Sequence, residues 1–370
     1  MSALLQKYVA PDWTTCLNKV PSTYLKLALR PTPIHPWRLH GVPDGFSVSI
    51  KRDDLTGCTL SGNKVRKLEF LLAEAVQTGC NCVVTCGGLQ SNFCRAAAVA
   101  SRQIGLDSHL FLRCPGNLDP SKAQCNGNLL LDRLVGANVF LVPPLSYEGK
   151  TNELGYVAGL KDKMSTYADK LRSSGQKPYN MPVGGSNLTG MWGYIEAFRE
   201  LLDQGVAEQY DDIVFATGSG GTASGLSIAN YLTGSKLKIH AVAVCDNANY
   251  FYDHVGDTLE AIGMGDKVKS TDILDVVDGY KGQGYGLTTD KDLRQLIEIA
   301  SSTGIVLDPT YTLKGVQGLL GELKKNPTRF KGKRILHIHT GGIFGLYDGR
   351  ITEILKSTPV TNRITVFSEP

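Results

Sequence analysis

Along the 370-residue chain the hydrophobic pattern keeps switching between uninterrupted apolar runs of strand length and stripes at helical spacing. "GFSVSIKRDD" (45–54) and "CNCVVTCGG" (80–88) read as strands. A helix follows each, one starting near Lys64 and the other being "SNFCRAAAVASRQIG" (91–105). "SHLFLR", "GNLLLDRLVG" and "NVFLVP" continue as strand, helix and strand. "LGYVAGLKDKMSTYADKLRSSG" is a long helix stopped by its terminal glycine. "PYNMPVGGSN" re-enters a sheet, and in "MWGYIEAFRELLDQG" Trp192, Ile195, Phe198, Leu201 and Leu202 form one apolar stripe. "DDIVFAT", the helix "LSIANYL", the strand "KLKIHAVAVCD", a helical pair and "KRILHIHTGG" complete the series. Strands apolar on both faces and alternating with helices predict an α/β fold with open, mostly parallel sheets.

Three strand ends share one design. "TCGGLQSN" (85–92), "ATGSGGTASG" (216–225) and "IHTGG" (338–342) each place small residues just past the C-terminal end of an apolar strand. That edge is where open α/β sheets bind ligands. Three such ends together argue for a shared cleft.

Composition narrows the function without naming it. The chain is 42% hydrophobic and 20% charged, with a net charge of +4 and no concentrated basic block. Nucleic acid and membranes are therefore not expected partners, whereas a local basic pocket for a phosphate is compatible. No secretory signal is visible and no apolar run approaches the ~20 residues that span a bilayer, so the cytosol is the expected compartment. The nine cysteines read as small, mostly buried thiols. Cys80, Cys82 and Cys86 fall along one apparent strand with no second knuckle elsewhere, which argues against a zinc site.

"GSGGTASG" follows the strand "DDIVFAT" and opens a helix. Gly218, Gly220 and Gly221 permit φ > 0 and close backbone approach, with Ser219 between them, and Thr222 adds a hydroxyl near the helix start. Free N–H groups at a helix N-terminus suit a phosphate. The Gly-Lys-Ser/Thr of a nucleoside triphosphate loop is absent, and the acidic residue of a dinucleotide fingerprint is not at its usual spacing. A small phosphate ester remains. Lys64 stands where another loop turns into a helix, in "LTGCTLSGNKVRKLEFLL". A phosphate loop paired with such a lysine points to pyridoxal 5′-phosphate, whose aldehyde condenses with a lysine amine.

"SGNKVRKLEF", "GGLQSNFCRA", "VGGSN", "GSGGTASGL", "LDPTYTLKG" and "IHTGG" occur in one order from about Pro31 to Asp348. In these motifs the chain resembles the D-cysteine desulfhydrases and 1-aminocyclopropane-1-carboxylate deaminases, which are fold type II pyridoxal-phosphate enzymes. The resemblance implies a tryptophan-synthase-β-like fold, a homodimer and a small amino-acid substrate. It implies a large domain of residues 1–66 plus 183–370, a small one of 67–182, and an active site in the cleft between them. It makes Lys64 the lysine that condenses with the cofactor, and Lys67 with Gly218–Thr222 the phosphate cradle. Asn92 would contact the ring hydroxyl or phosphate edge, and Ser91 would face the substrate carboxylate or Cα. Tyr285 and Tyr311 would line the substrate pocket, and Thr340 would lie beside the ring. Thr312 would face the pyridine nitrogen, where the cyclopropane deaminases carry a glutamate.

A hydroxyl there leaves the ring nitrogen neutral, a weaker electron sink. That sink suffices to expel a thiol from Cβ, so the reading is β-elimination of D-cysteine to pyruvate, hydrogen sulfide and ammonia. The alternatives left open are cyclopropane deamination, elimination or replacement on another small amino acid, and a non-catalytic cofactor-binding homologue. Two departures bear on substrate identity: Phe93 stands where many desulfhydrases have histidine, and Leu313 where others have glycine.

Overall fold

Strands apolar on both faces need a helical layer above and below, and the chain builds two sheets on that plan. The computed structural model describes residues 4–114, 123, 125–143, 153–359, 361, 363 and 364. In the larger sheet the spatial order is Asp275–Val277, Lys238–Ala243, Asp212–Thr217, Arg334–Ile338, Ser47–Lys51 and Ile34–Pro36. Neighbours are parallel except the last pair. The smaller sheet is parallel throughout, in the order Asn138–Val142, Asp107–Arg113, Cys82–Gly88 and Pro178–Asn180. A two-stranded antiparallel pair joins Leu5–Lys7 to Thr23–Leu25.

Side-chain alternation divides the larger core into two layers. Along the fully buried strand Asp212–Thr217, Ile213 and Phe215 pack with Trp192, Ile195, Phe198 and Leu201. Val214 faces the other way, among Leu313, Leu319 and Ile335. The stripe foreseen on Leu188–Asp203 thus points into the sheet, with Leu202 at its half-buried edge. Burying each such side chain is worth about 1.5–3 kcal/mol. Cys82 and Cys86 share a buried layer, while Cys80 precedes the strand and does not belong to it. Among the described residues no three His, Cys, Asp or Glu side chains converge to hold a metal, and no helix is long and apolar enough to cross a membrane.

This topology positions the site. The strands Asp212–Thr217 and Arg334–Ile338 are neighbours and parallel, so the turns after Thr217 and Ile338 emerge side by side. The strand Ser47–Lys51 is the next neighbour, and the chain after it leads to Lys64.

Candidate active site

Lys64 is the first residue of the helix Lys64–Gln77. The turn before it needs Gly62, at φ +105°, where an added Cβ would lie 2.9 Å from the Thr340 carbonyl oxygen. The Asn63 backbone N–H donates to that oxygen at 3.1 Å, and Asn63 Nδ2 donates to Thr222 Oγ1 at 3.1 Å. Behind the helix start, Arg66 is fully buried. It donates to both Asp53 oxygens at 2.8 and 3.0 Å and to Glu200 Oε2 at 2.9 Å. Burial would raise the Glu200 pKa, but Arg66 and Lys51 outweigh it and hold it at about 2. Lys64 therefore stands on a turn fixed on one side by the strand end and on the other by a buried ion cluster. Enclosure lowers its amine to a pKa of about 8, against the opposing pull of Cys245 and Asp308.

The glycine loop lies opposite. Of the three glycines expected to permit φ > 0, Gly220 uses it, at +85°. The other two are glycine for space. A Cβ at Gly218 would meet the Tyr311 ring at 3.0 Å; one at Gly221 would meet Ser186 Oγ at 2.7 Å and Lys67 Nζ at 2.9 Å. The Gly221 N–H, at the start of the helix Gly221–Leu232, donates to Ser186 Oγ at 3.1 Å, and Ser186 Oγ donates to Ser219 Oγ at 2.7 Å. Lys67 Nζ donates to the Gly184 carbonyl at 3.2 Å and to Ser186 Oγ at 3.3 Å. Burial, with Lys64 adding repulsion, pushes the Lys67 pKa well down.

A cavity opens between these elements. Lys64, Lys67, Asn92, Gly218, Ser219, Gly220, Thr222, Tyr311 and Thr340 line it, together with Asn63, Ala216, Thr217 and Gly341. Ser91, Gly221, Tyr285 and Thr312 are not among the lining residues. No carboxylate lines it, and among the described residues neither lysine has an acidic hydrogen-bond or ion-pair partner. Thr217 Oγ1 is buried without a hydrogen-bond partner. A buried amine, a second one on a half-buried lysine, an orphan hydroxyl and a helix N-terminus fit an anionic ester with a carbonyl group, which is the chemistry of pyridoxal 5′-phosphate.

Ser91 caps the helix Asn92–Gln103, its Oγ accepting the Cys94 N–H at 3.2 Å. Bare backbone at Gly87 makes this possible, since a Cβ there would sit 2.5 Å from Ser91 Oγ. Tyr285 reaches the same turn: its ring is 3.6 Å from where a Gly88 Cβ would be, and its hydroxyl lies 2.5 Å from that of Tyr311. Burial raises both phenols, Tyr285 to about 12, and either hydroxyl can donate in the bond between them. Lys64 Nζ lies 6.0 Å from the Tyr311 ring centroid.

The Thr312 hydroxyl is engaged elsewhere. It donates to Asp308 Oδ1 at 2.8 Å and accepts the Asp308 N–H at 2.7 Å, closing the turn that starts the helix Thr312–Lys325. Thr312 is thus held by Asp308 and is not among the residues that line the cavity. Phe93 and Leu313 also point away from the cavity. Phe93 packs beside Leu71 and Gly185, and Leu313 lies fully buried among Val214 and Leu319 in helical backbone. Neither departure touches the pocket. His339 is held by the Val306 carbonyl at 3.0 Å and the Gly341 N–H at 3.1 Å. Sequence reading missed Asn63, Thr217 and Ser186. Ser186 had a signal, since "VGGSN" stood among the shared motifs without a role.

A family model described as "Pyridoxal-phosphate dependent enzyme" matches residues 25–341. A bifunctional D-cysteine desulfhydrase/1-aminocyclopropane-1-carboxylate deaminase of Arabidopsis thaliana, mitochondrial by its name, is 47% identical over 345 residues, 92% of this chain and 83% of its own. A D-cysteine desulfhydrase of Yersinia pestis is 31% identical over 308 residues, 82% and 88% of the two chains. The crystal structure of an ACC (1-aminocyclopropane-1-carboxylate) deaminase homologue superposes with a TM-score of 0.77 at 31% identity, covering 94% of this chain and all of the other.

Proposed function

We propose, from the premise that this chain belongs to the pyridoxal-phosphate-dependent enzyme family, that it is a lyase converting D-cysteine and water to pyruvate, hydrogen sulfide and ammonia. The observation that carries this reading is the cavity wall itself, with two amines, a glycine loop and a tyrosine and no carboxylate. When bound, pyridoxal phosphate supplies the electron sink that lets a Cα proton leave and sulfide depart from Cβ. A wall without an anion gives the ring nitrogen no charged partner. That favours expulsion of a good leaving group over opening of an unactivated ring.

Lys67, the Gly221 N–H and the Ser186–Ser219 hydroxyl pair bind the phosphate. Lys64 Nζ would hold the cofactor aldehyde, and as a free amine it would be a base of suitable strength for the Cα proton, since enclosure brings it to about 8. The bonded hydroxyl pair of Tyr285 and Tyr311 carries a proton to or from the substrate. Ser91 Oγ orients the carboxylate. The two sheets support a division into a small domain of 67–182 and a large one of 1–66 plus 183–370. A cytosolic homodimer completes the reading.

The names of the Arabidopsis relative and of the structural neighbour favour a second reading, 1-aminocyclopropane-1-carboxylate deamination. One assay series separates them. Cofactor-loaded protein given D-cysteine releases equal amounts of sulfide and pyruvate, whereas L-cysteine releases neither. Release of 2-oxobutyrate from 1-aminocyclopropane-1-carboxylate, with none of those products from D-cysteine, would overturn the assignment.

A further inference from the structure

The orientation of the Asn92 amide is set outside the cavity, by a chain of hydrogen bonds that begins at an arginine. Arg95 is fully buried on the helix Asn92–Gln103. Its guanidinium has donors and no acceptor. Two of its nitrogens donate to the backbone ahead of Lys64, to the Thr59 carbonyl and to the Ser61 carbonyl, the latter at 3.0 Å. Its Nε donates to Asn128 Oδ1 at 3.2 Å.

That last bond fixes a polarity. Asn128 must turn its oxygen to Arg95 and its NH₂ the other way. Its Nδ2 donates to the Gln90 carbonyl and to Asn92 Oδ1, each at 3.0 Å, and its backbone N–H donates to Gln90 Oε1 at 2.7 Å. Asn128 is itself fully buried, so no water competes for these contacts. With Oδ1 held by Asn128, Asn92 has its NH₂ left for the cavity it lines.

We propose that Asn128, aligned by Arg95, is a positioning residue that makes Asn92 a hydrogen-bond donor to an acceptor oxygen of the cofactor. The proposal rests on the reading of this cavity as the pyridoxal-phosphate site. Because Arg95 also grips residues 59 and 61, the same relay ties the Asn92 donor to the turn that carries Lys64. A carboxylate at position 128 would reverse it. Asp has no NH₂, so it would draw the Asn92 NH₂ to itself and turn Oδ1 to the cavity.

The test is a double-mutant cycle on cofactor binding, read by the dissociation constant of pyridoxal 5′-phosphate and by the visible absorption band of the bound cofactor. Asn92→Ala is expected to weaken binding about 10–100-fold, the usual range for a hydrogen bond to an ionised group. Asn128→Asp is expected to weaken it at least as much and to shift the band. In the Asn92→Ala background, Asn128→Asp should add nothing. Arg95→Lys, which keeps the charge and loses the fork, should give a smaller loss that also vanishes in that background. It decides the matter if Asn128→Asp does not fold. Losses that multiply independently in the double variants would overturn the relay. Unchanged binding in Asn92→Ala would instead overturn the cavity reading beneath it.

Discussion

The hydroxyls of Tyr285 and Tyr311 lie 2.5 Å apart, although Tyr285 comes from a loop and Tyr311 caps a helix 26 positions later. Both are protonated at neutral pH, since burial raises each phenol. The pair can therefore pass a proton along one short bond. Tyr285→Phe and Tyr311→Phe are each expected to lower kcat for D-cysteine by about 10²–10⁴-fold, the range for a lost acid–base group. Cofactor affinity should stay within about threefold. Steady-state kinetics and a cofactor titration on each variant check both halves.

How much of this was legible beforehand follows from what each element buries. The strands Asp212–Thr217 and Cys82–Gly88 were plain because both faces are covered, leaving long apolar runs. Ile34–Pro36 was not. It is three residues long, ends in proline and pairs antiparallel at the sheet edge, where no apolar run is required. Lys64 and the glycine loop were readable because loop–helix junctions carry local signals. The engagement of Thr312 with Asp308 was not, because a motif names a neighbourhood and leaves the rotamer open. The Arg95–Asn128–Asn92 relay was invisible for a related reason. It joins residues far apart in sequence through buried amides that look like ordinary polar positions.

Gly221→Ala tests the cradle. The new Cβ would meet Ser186 Oγ at 2.7 Å, Lys67 Nζ at 2.9 Å and the Ser186 Cα at 3.0 Å, so it displaces the two phosphate-binding side chains and presses on the backbone at Ser186. Cofactor affinity is expected to fall about tenfold or more, a larger effect than the modest drop in melting temperature of the cofactor-free protein that the contact with the Ser186 backbone brings. Equilibrium dialysis and thermal unfolding read the two effects.

Lys67→Met separates binding from stability. Lys67 is buried without an acidic partner among the described residues, and its pKa is depressed in the folded state. Such a group destabilises the fold below its unfolded pKa, and the penalty fades as pH rises towards 10.5. The cofactor-free variant is expected to be about 1–3 kcal/mol more stable at low to neutral pH, with the difference shrinking as pH rises and gone by 10.5. Cofactor binding should weaken by about 100-fold. Denaturant titrations at several pH values report the first effect.

Asp132 is fully buried, and neither carboxylate oxygen has a hydrogen-bond partner. Burial raises its pKa to about 7 against the opposing pull of Arg95. The sign follows from the raised folded value: stability is fully present below the unfolded value of 3.8 and is lost as pH rises through about 7. Asp132→Asn should therefore match the parent near pH 4 and exceed it by on the order of 2–4 kcal/mol at pH 8. Denaturant midpoints at those two pH values decide it.

The most direct measurement is peptide mapping after borohydride reduction of the cofactor-loaded protein. A pyridoxyl group is expected on the peptide that carries Lys64, at Nζ, and it should be absent from Lys64→Ala. A label on Lys67, on another side chain, or on none would contradict the assignment of this cavity.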